Sequence, residues 1–572
     1  MSESERKRAK SFVTEAAILS LSGFAVKIIG LLFKIPLTNI LGSSMSIFNA
    51  AYSIYAMLFM ISTSGLPVAI SRMVAASAEK GKLTEVKKIL KMSIYAFGIV
   101  GVICSLFLFF FAEPLAVWSI HPDSVLAMRI ISPTLFLICI ASAYRGYFQG
   151  LRNMYPTAIS QFIEAFIKLS VGLGATLWAN SMGYSKAVQA AFAISGLTLG
   201  VFLGMLYMVL YKMFSKRKYI TVKSSETMRY KLIAKRLVLI ALPVTITSSA
   251  LYLSQFLDTL LINKVLTGTG VTEKTADALY AAYTSLSISI SDLLPSTLIY
   301  PIAVSILPAV AGALALRKRK KAIGYIVSSI RISGIIALPC SLCLIFLSRP
   351  AISLIYGASW GDPITLASGR VVMGIDIAAP ALSILAIGIF FISLVSTTNA
   401  LLQATGKVYY PMYSVGTGVL ALIILEVGLL GIKPIGIFGA PISSVVCYII
   451  ALYMNLRFLR KTQKIKLPPK RLFLKPFICA AISGVYCFIS YKIGYSLWTI
   501  LFKNSNPDGR LASFVILLLT ALGAVFLYIF LMLITKAITA NEVRLLPKGR
   551  QLAGYFIRKG WLKDSNVMVE DE

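Results

Sequence analysis

Charged residues are scarce in this chain, and the residue types of common catalytic sites are scarcer still. Only 14% of its 572 residues are charged, and it has one histidine, His121. The sequence contains no Ser/His/Asp set, no metal-ligand cluster, no phosphate-binding loop and no soluble segment large enough to bind a nucleotide. We therefore expect neither an enzyme nor an ATP-driven pump. We also expect no metal site and no cofactor, with Na⁺ or H⁺ left as a possible coupling ion.

The cysteines do not form a disulfide framework. There are seven, an odd number, and all of them lie in apolar segments. Cys340 and Cys343 form a C-x-x-C pair within an apolar run, without the strands of a redox fold, so packing is the expected role. The N-terminal stretch MSESERKRAK precedes an apolar run without a small-residue cleavage site. It indicates a retained first helix rather than a removed signal peptide.

Long apolar runs dominate what is present. The chain is 58% hydrophobic, and most runs reach the about 20 residues that a transmembrane helix needs. Period-two alternation, the pattern of an outer-membrane barrel, is missing. The sequence predicts an all-α polytopic membrane protein with about fourteen spans, the first near 12–35 and the second near 46–70.

The basic residues show how the spans are oriented. The net charge is +34, but Lys and Arg cluster in short loops, where positive-inside bias explains them without a nucleic acid partner. With the N-terminus inside, predicted inner segments carry 42 Lys and Arg and outer loops carry 8. We therefore expect a multi-pass protein of the bacterial plasma membrane with both termini in the cytoplasm.

An internal repeat divides the spans into two sets. Pro67-Val-Ala-Ile-Ser71 in the second span matches Pro301-Ile-Ala-Val-Ser305 in the eighth, and Glu113-Pro114 after the third span matches Arg349-Pro350 after the ninth. Six spans separate each pair, so both copies have the same topology. This predicts two pseudo-symmetric six-helix bundles and, by analogy with parallel-repeat transporters, alternating access. Two C-terminal helices lie outside the repeat.

The predicted organisation follows from these boundaries. It comprises a cytoplasmic N-terminus (1–11), a first six-helix bundle (12–211), a basic linker (212–237), a second six-helix bundle (238–456), a basic loop (457–475), two extra helices (476–535) and a cytoplasmic tail (536–572).

Basic residues at membrane depth are the first candidates for function. Lys27 lies about 21 Å along the first helix, where an ammonium group needs water, an anion or an acidic partner. Lys34 lies two turns further on the same face. One interpretation is that both face a cavity and attract an anion. The alternative is that Lys27 pairs with Asp258 or Asp292.

Acidic residues within the spans form the second set. Glu164 and Lys168 are four positions apart, a spacing that allows either mutual neutralisation or cavity lining. Asp258 and Glu426 have no adjacent cation. Each therefore either binds a coupling ion, Na⁺ or H⁺, or is a neutral acid in an interhelical hydrogen bond.

Three motifs carry a family resemblance. They are NILG at 39–42, SGLPVAISRMVA at 64–75 and SAYRGYFQGLRNMYPTAISQ at 142–161. Together with duplicated halves and two extra helices, they resemble the MOP flippase superfamily. The similarity is to its MurJ-like and stage V sporulation protein B-like polysaccharide biosynthesis branch. It implies a MATE/MOP-like fold and movement of undecaprenyl-pyrophosphate-linked glycans, notably lipid II, from the inner to the outer leaflet.

The resemblance also assigns roles to residues. Lys27 matches a basic position in the first span that meets the pyrophosphate, with Lys34, Arg145 and Lys168 as further candidates for substrate binding. Asp258 resembles the acid of the family's cation site, and Glu426 matches it in part. The substrate partner is then a lipid-linked glycan within membrane lipids, and cell-wall synthesis proteins are candidate protein partners.

The chain departs from the family pattern in the second span, which has no basic residue before Arg72. Three alternatives therefore stay open. They are a flippase for another wall, capsule or exopolysaccharide unit, a cation-coupled MATE multidrug exporter and a polyprenyl-phosphate glycosyltransferase. An exporter of cationic drugs is expected to have an acid-dominated cavity, whereas the first span offers lysines.

Overall fold

A computed structural model gives the fold. It describes residues 22–23, 25–63, 65–79, 82–119, 121–151, 153–215, 228–299, 310, 313–314, 319–357, 360, 363–365, 371–407, 409–465, 469–501, 509–538, 554 and 557–558. Three predicted features lie wholly or mostly outside these residues: the N-terminal segment 1–11, the second repeat motif 301–305 and the tail 536–572. The linker 212–237 is described only at 212–215 and 228–237.

Helices account for most of the described residues. Those up to residue 281 are α1 (25–41), α2 (Met45–Thr63), α3 (Leu66–Glu79), α4 (Leu83–Phe110), α5 (Ala112–Trp118), α6 (Val125–Gly150), α7 (Tyr155–Ile167), α8 (Gly174–Ser181), α9 (Lys186–Phe214), α10 (Tyr230–Gly268) and α11 (Glu273–Ala281). Those that follow are α12 (Ser289–Leu294), α13 (Arg319–Tyr356), α14 (Gly374–Ala404), α15 (Tyr409–Leu430), α16 (Gly439–Gln463), α17 (Pro469–Leu501) and α18 (Arg510–Ile534). Two short antiparallel strands, β1 (Ile364–Thr365) and β2 (Val371–Val372), precede α14.

Short segments of other helix types interrupt or join the α-helices. The π-helical segments are Lys168–Leu173, Ala282–Ile288 and Pro295–Ile299, and the 3₁₀ turns are Gly42–Ser44, Pro122–Ser124 and Gly436–Phe438. π-Helical turns occur frequently at functional sites.

The all-α polytopic architecture is confirmed. Eleven stretches of the described chain are long and apolar enough to cross a membrane. One of them, Ala25–Ala78, has 54 residues and is interrupted at Gly42–Ser44 and again before Leu66. This is far longer than the about 20 residues of one crossing. The count of fourteen stays a prediction.

The outer surface of the helices is apolar, as lipid contact requires. In the most apolar 18-residue stretch of α4 only 17% is buried inside the protein, and in that of α18 only 22%. Large side chains on these helices stay exposed, including Phe110 at 69% and Phe526 at 74%. Apolar exposure on this scale would be unstable in water and is stable in hydrocarbon.

The chain forms two compact units of similar length, Met1–Ala281 and Ala282–Glu572. The N-terminal unit includes α10 and α11, because α10 packs on α2, α3 and α4, and α11 packs on α2. The repeat in the sequence predicts the division between 212 and 237, whereas the compact units divide after residue 281. In the C-terminal unit, α14 packs on α13 and α16, and α17 packs on α13 and α18.

The predicted second span is two helices rather than one. α2 ends at Thr63, and α3 begins at Leu66 with Pro67 in its first turn, where proline costs no hydrogen bond. Between them, the Gly65 amide donates to Thr245 Oγ1 on α10 at 3.1 Å. A Cβ on Gly65 would lie 2.1 Å from the Ala241 carbonyl oxygen, so the break requires glycine.

Glycines also bring α9 close to α7 and to the π-helical segment after it. A Cβ on Gly196 would lie 2.3 Å from Gly172 Cα, and one on Gly200 would lie 2.6 Å from the Glu164 carbonyl oxygen. Small residues at this spacing allow helix backbones to touch within a membrane. The contact holds α7 and the start of the π-helix in place, and these carry Glu164 and Lys168.

Candidate anion site in the N-terminal unit

Two of the predicted basic residues come together in space. Lys27 lies on α1 with an exposed side chain, and Lys168 is the first residue of the π-helical segment Lys168–Leu173. Their ammonium groups are close enough to interact electrostatically. Lys34, two turns along α1 from Lys27, is half-buried.

An aromatic ring holds the Lys168 side chain. The Nζ atom lies 4.6 Å from the ring centroid of Phe33, a side chain on α1 that is only 1% exposed. Such a cation–π contact is worth about 0.5–2 kcal/mol, depending on desolvation. A Cβ on Gly172 would come within 3.2 Å of the same ring, so the π-helical segment packs directly against it.

Glu164 does not neutralise Lys168, although the i,i+4 spacing allows it. The Glu164 carboxylate forms an ion pair with Arg145 NH2 on α6, and the same NH2 group lies 3.3 Å from Ser160 Oγ. The α-helix ends at Ile167, and Lys168 turns toward Phe33 instead. The interpretation of Glu164 and Lys168 as a mutually neutralising pair is therefore wrong.

The Arg145–Glu164 pair is largely buried. The side chains are 11% and 19% exposed. Tyr55 on α2, itself 5% exposed, interacts electrostatically with both of them. Arg145 Nε is buried and has no hydrogen-bond acceptor among the described residues.

The electrostatics of the Lys27–Lys168 pair are suited to an anion. Within the described part of the chain, no carboxylate lies within ion-pair distance of Lys168. The charged group that interacts with the Lys168 ammonium is the ammonium of Lys27. Like charges repel more strongly where water is excluded, and an anion between them removes that repulsion. This arrangement supports anion binding at the point where α1 meets the π-helical segment.

The two candidate coupling acids lie in different units. Asp258 is on α10 in the N-terminal unit and is 5% exposed, while Glu426 is on α15 in the C-terminal unit and is fully buried. Among the described residues, no group of three or more His, Cys, Asp and Glu side chains has the geometry to hold a metal ion. Ion coupling through Asp258 and Glu426 stays a prediction.

The family follows from a sequence comparison. A model of the polysaccharide biosynthesis protein family matches residues 12–314, just over half of the chain. The chain belongs to this family. The match covers α1, α6 and the π-helical segment Lys168–Leu173, so the elements that carry Lys27, Arg145 and Lys168 all lie within it.

Curated relatives of this family member match almost from end to end. An uncharacterised membrane protein, YabM, of Bacillus subtilis strain 168 is 28% identical over 95% of this chain and 96% of its own. The lipid II flippase MurJ of the same organism is 25% identical over 95% and 97%. The stage V sporulation protein B is 24% identical over 94% and 98%.

Solved structures confirm the fold. The lipid II flippase MurJ in an inward closed conformation has a TM-score of 0.62 at 12% identity, covering 91% of this chain and 98% of the other. An inward-facing multidrug resistance MATE transporter of the MOP superfamily has a TM-score of 0.58 at 15% identity, covering 78% and 98%. The family member therefore has the fold of the MOP superfamily.

Proposed function

We propose that this protein moves polyprenyl-pyrophosphate-linked glycans from the inner to the outer leaflet of the membrane by alternating access, with lipid II as the cargo. The observation that carries the proposal is the pair of ammonium groups of Lys27 and Lys168 in membrane-spanning helices of a polysaccharide biosynthesis family member. A relative at 25% identity is named as a lipid II flippase, which supports the choice of cargo.

The chemistry of a pyrophosphate head group fits this pair. Its oxygens accept hydrogen bonds from two ammonium groups, and its charge replaces their mutual repulsion with attraction. Lysine binds phosphate as a point charge, without the fixed bidentate geometry of arginine. A carrier must release what it binds, so this looser contact suits repeated loading and unloading.

Arg145 has a supporting place in the proposal. Its NH2 group is held by Glu164 and Ser160, and its buried Nε is a donor without a described partner. The ion pair lowers its net charge, so Arg145 contributes less to anion attraction than Lys27 or Lys168. Lys34, two turns along α1, extends the basic face toward the predicted outer side.

The energy for transport comes from gradients in this proposal. With the cell interior negative, outward movement of each anionic charge gains about 2.3 kcal/mol per 100 mV. Asp258 and Glu426 add coupling to Na⁺ or H⁺. The family and the structural relatives are transporters and flippases, and the proposal involves no catalytic step.

Head-group translocation in proteoliposomes tests the basic pair. Lys27→Ala and Lys168→Ala should each lower the initial rate about 10- to 150-fold, because a charge-assisted hydrogen bond is worth about 1.5–3 kcal/mol and 1.4 kcal/mol is tenfold. Lys492→Ala is the matched control, since Lys492 Nζ also lies over an aromatic ring, 4.4 Å from the centroid of Phe488 on α17. Equal rates for all three variants and the wild type would remove the basic pair from the mechanism.

A depletion experiment tests the cargo. Loss of the protein should raise the amount of lipid II on the inner leaflet, measured by extraction and mass spectrometry of polyprenyl-linked intermediates. Build-up of a different lipid-linked glycan would assign another wall or capsule precursor. Loss of cationic drug efflux, without any glycan intermediate, would instead indicate a MATE-type exporter.

A further inference from the structure

The single histidine of the chain lies in a buried polar cluster. His121, between α5 and α6, is 3% exposed, and its Nδ1 atom lies 2.6 Å from the Ser119 carbonyl oxygen. Its Nε2 atom lies 3.1 Å from Asp277 Oδ1 on α11. Asn263 Nδ2 on α10 donates to the same Oδ1 at 2.7 Å.

These contacts determine where a proton can bind. A carbonyl oxygen accepts only, so Nδ1 of His121 carries a proton that it donates to Ser119. Nε2 lies 3.1 Å from the Asp277 carboxylate oxygen and 3.4 Å from Asn263 Nδ2. An unprotonated Nε2 can accept a hydrogen bond from Asn263, whereas a protonated Nε2 donates to Asp277, so this nitrogen has a partner in both states. A proton gained by the pair goes to Nε2, because Oδ1 already accepts from Asn263 and an ionised carboxylate accepts both hydrogen bonds.

The cluster contains a buried amide oxygen, on Asn263, and a partly exposed carboxylate, on Asp277. Asn263 is 1% exposed, and its Oδ1 atom has no hydrogen-bond donor among the described residues. Asp277 has a side chain that is 33% exposed, whereas that of His121 is 1% exposed. A proton from water can thus reach Asp277 first, and Oδ1 of Asn263 can accept a hydrogen bond from a protonated neighbour or a water molecule.

A line of hydroxyl groups begins beside the cluster and includes Thr259, the residue that follows Asp258. The Tyr280 ring packs 5.6 Å from the His121 ring, and its hydroxyl lies 2.9 Å from Thr259 Oγ1. Thr259 Oγ1 lies 2.9 Å from Ser53 Oγ on α2. Tyr280 interacts electrostatically with both Asp258 and Asp277.

We propose that His121 and Asp277 form a proton-loading site at the predicted outer end of the N-terminal unit, which supplies Asp258. Loading transfers one proton from hydronium in the outer water to Nε2 of His121, forms one N–H bond and leaves water behind. Supply to Asp258 breaks that N–H bond and forms one O–H bond on the Asp258 carboxylate. The link to cargo movement rests on the proposed function, while the proton site itself does not.

Other charged groups near the pair are few among the described residues. Asp277 and Tyr280 face it from α11, and Asp258 approaches Tyr280 from α10. Lys264 on α10 lies over the ring of Trp118 at 5.4 Å, at the end of α5. Asp123, two positions after His121, is exposed and serves as a control carboxylate.

Nitrogen NMR tests the site directly, because one histidine gives one pair of ring signals. In histidine-labelled protein in nanodiscs, we expect Nδ1 to stay protonated and Nε2 to gain a proton as the pH is lowered. Asp277→Asn should keep Nε2 unprotonated to lower pH, because the carboxylate that stabilises the new N–H bond is removed, and Asp123→Asn should leave the transition in place. An unprotonated Nδ1, or a transition unaffected by Asp277→Asn, would overturn the proposal.

Transport measurements test the link to Asp258. Acid outside proteoliposomes should raise the rate of head-group translocation in the wild type and in Asp123→Asn. His121→Gln and Asp277→Asn should lose most of that stimulation. Stimulation that survives in both variants would refute the coupling. If even the wild type moves no head group, the proposed function fails and the NMR result alone decides the proton site.

Discussion

Arg145 on α6 forms an ion pair with Glu164 on α7, nineteen positions along the chain. The pair links α6, which ends in the stretch SAYRGYFQG, to α7, the next helix along the chain. It also explains why Lys168, four positions after Glu164, is left beside Phe33 and Lys27. One interhelical contact thus decides which basic residue stays available to an anion.

Breaking this pair should destabilise the protein. Glu164→Gln leaves the Arg145 guanidinium without its carboxylate in a largely buried position, at a cost of about 3–5 kcal/mol. We expect a clear fall in the melting temperature in detergent, measured by fluorescence-detected size-exclusion chromatography. Glu113→Gln is the control, because its pair with Arg129 is 66% and 42% exposed and is worth about 0–1 kcal/mol. Equal shifts for the two variants would contradict the structural role of the pair.

Gly65→Ala should destabilise the N-terminal unit. The added methyl group would lie 2.1 Å from the Ala241 carbonyl oxygen, and it would disturb the hydrogen bond from the Gly65 amide to Thr245. Overpacking of this kind costs about 1–3 kcal/mol. Gly98→Ala on α4 is the matched control, since a Cβ there meets nothing within 4 Å and alanine favours the helix. A melting temperature unchanged by Gly65→Ala would show that α10 does not pack against the break between α2 and α3.

Asp258→Asn and Glu426→Gln test ion coupling. If these acids bind Na⁺ or H⁺, each neutral variant should lose the dependence of head-group translocation on the corresponding gradient. The measurement compares rates with and without ionophores that collapse each gradient separately. Glu113→Gln, an exposed carboxylate, should respond to ionophores like the wild type. A wild-type rate that ignores both ionophores would end the idea of coupling.

Cysteine labelling tests the orientation. In a variant without the seven native cysteines, Asp123→Cys should react with a membrane-impermeant maleimide added to intact protoplasts. Lys461→Cys, in the last turn of α16, should react only after the cells are opened. This pattern follows from the excess of Lys and Arg in the predicted inner segments. The reverse pattern would place both termini outside.

Composition and periodicity alone predicted the fold class. Apolar runs of about 20 residues leave an α-helix as the stable backbone conformation in hydrocarbon, because every peptide group must bond within its own segment. The motifs around Gly65 and Arg145 carried the family resemblance, and the family match confirms it. Element ends were less predictable, since the break at Gly65 depends on contact with Ala241 on a helix 176 positions away.

The candidate site was predictable only as a set of residues. A lysine within an apolar run stands out by its cost in the membrane, so Lys27 and Lys168 were found without a structure. The pairing of the charges was not predictable. Glu164 and Lys168 have the i,i+4 spacing of a helical ion pair, yet Glu164 pairs with Arg145 on another helix. The His121 cluster gave no signal beyond the rarity of the residue, since its partners Asp277 and Asn263 lie more than 140 positions away.

By itself, the sequence determined that this is a membrane-spanning protein and to which family it belongs. It also determined how the basic residues are distributed along the spans. These properties follow from local composition and local motifs, because each apolar run and each motif is recognisable without knowing which other segments it contacts. The tertiary structure decided the partners of the few buried charges: Arg145 with Glu164, Lys168 with Phe33 and His121 with Asp277. Their energies depend on distances of a few ångströms between distant segments, and only the packing of the helices sets those distances.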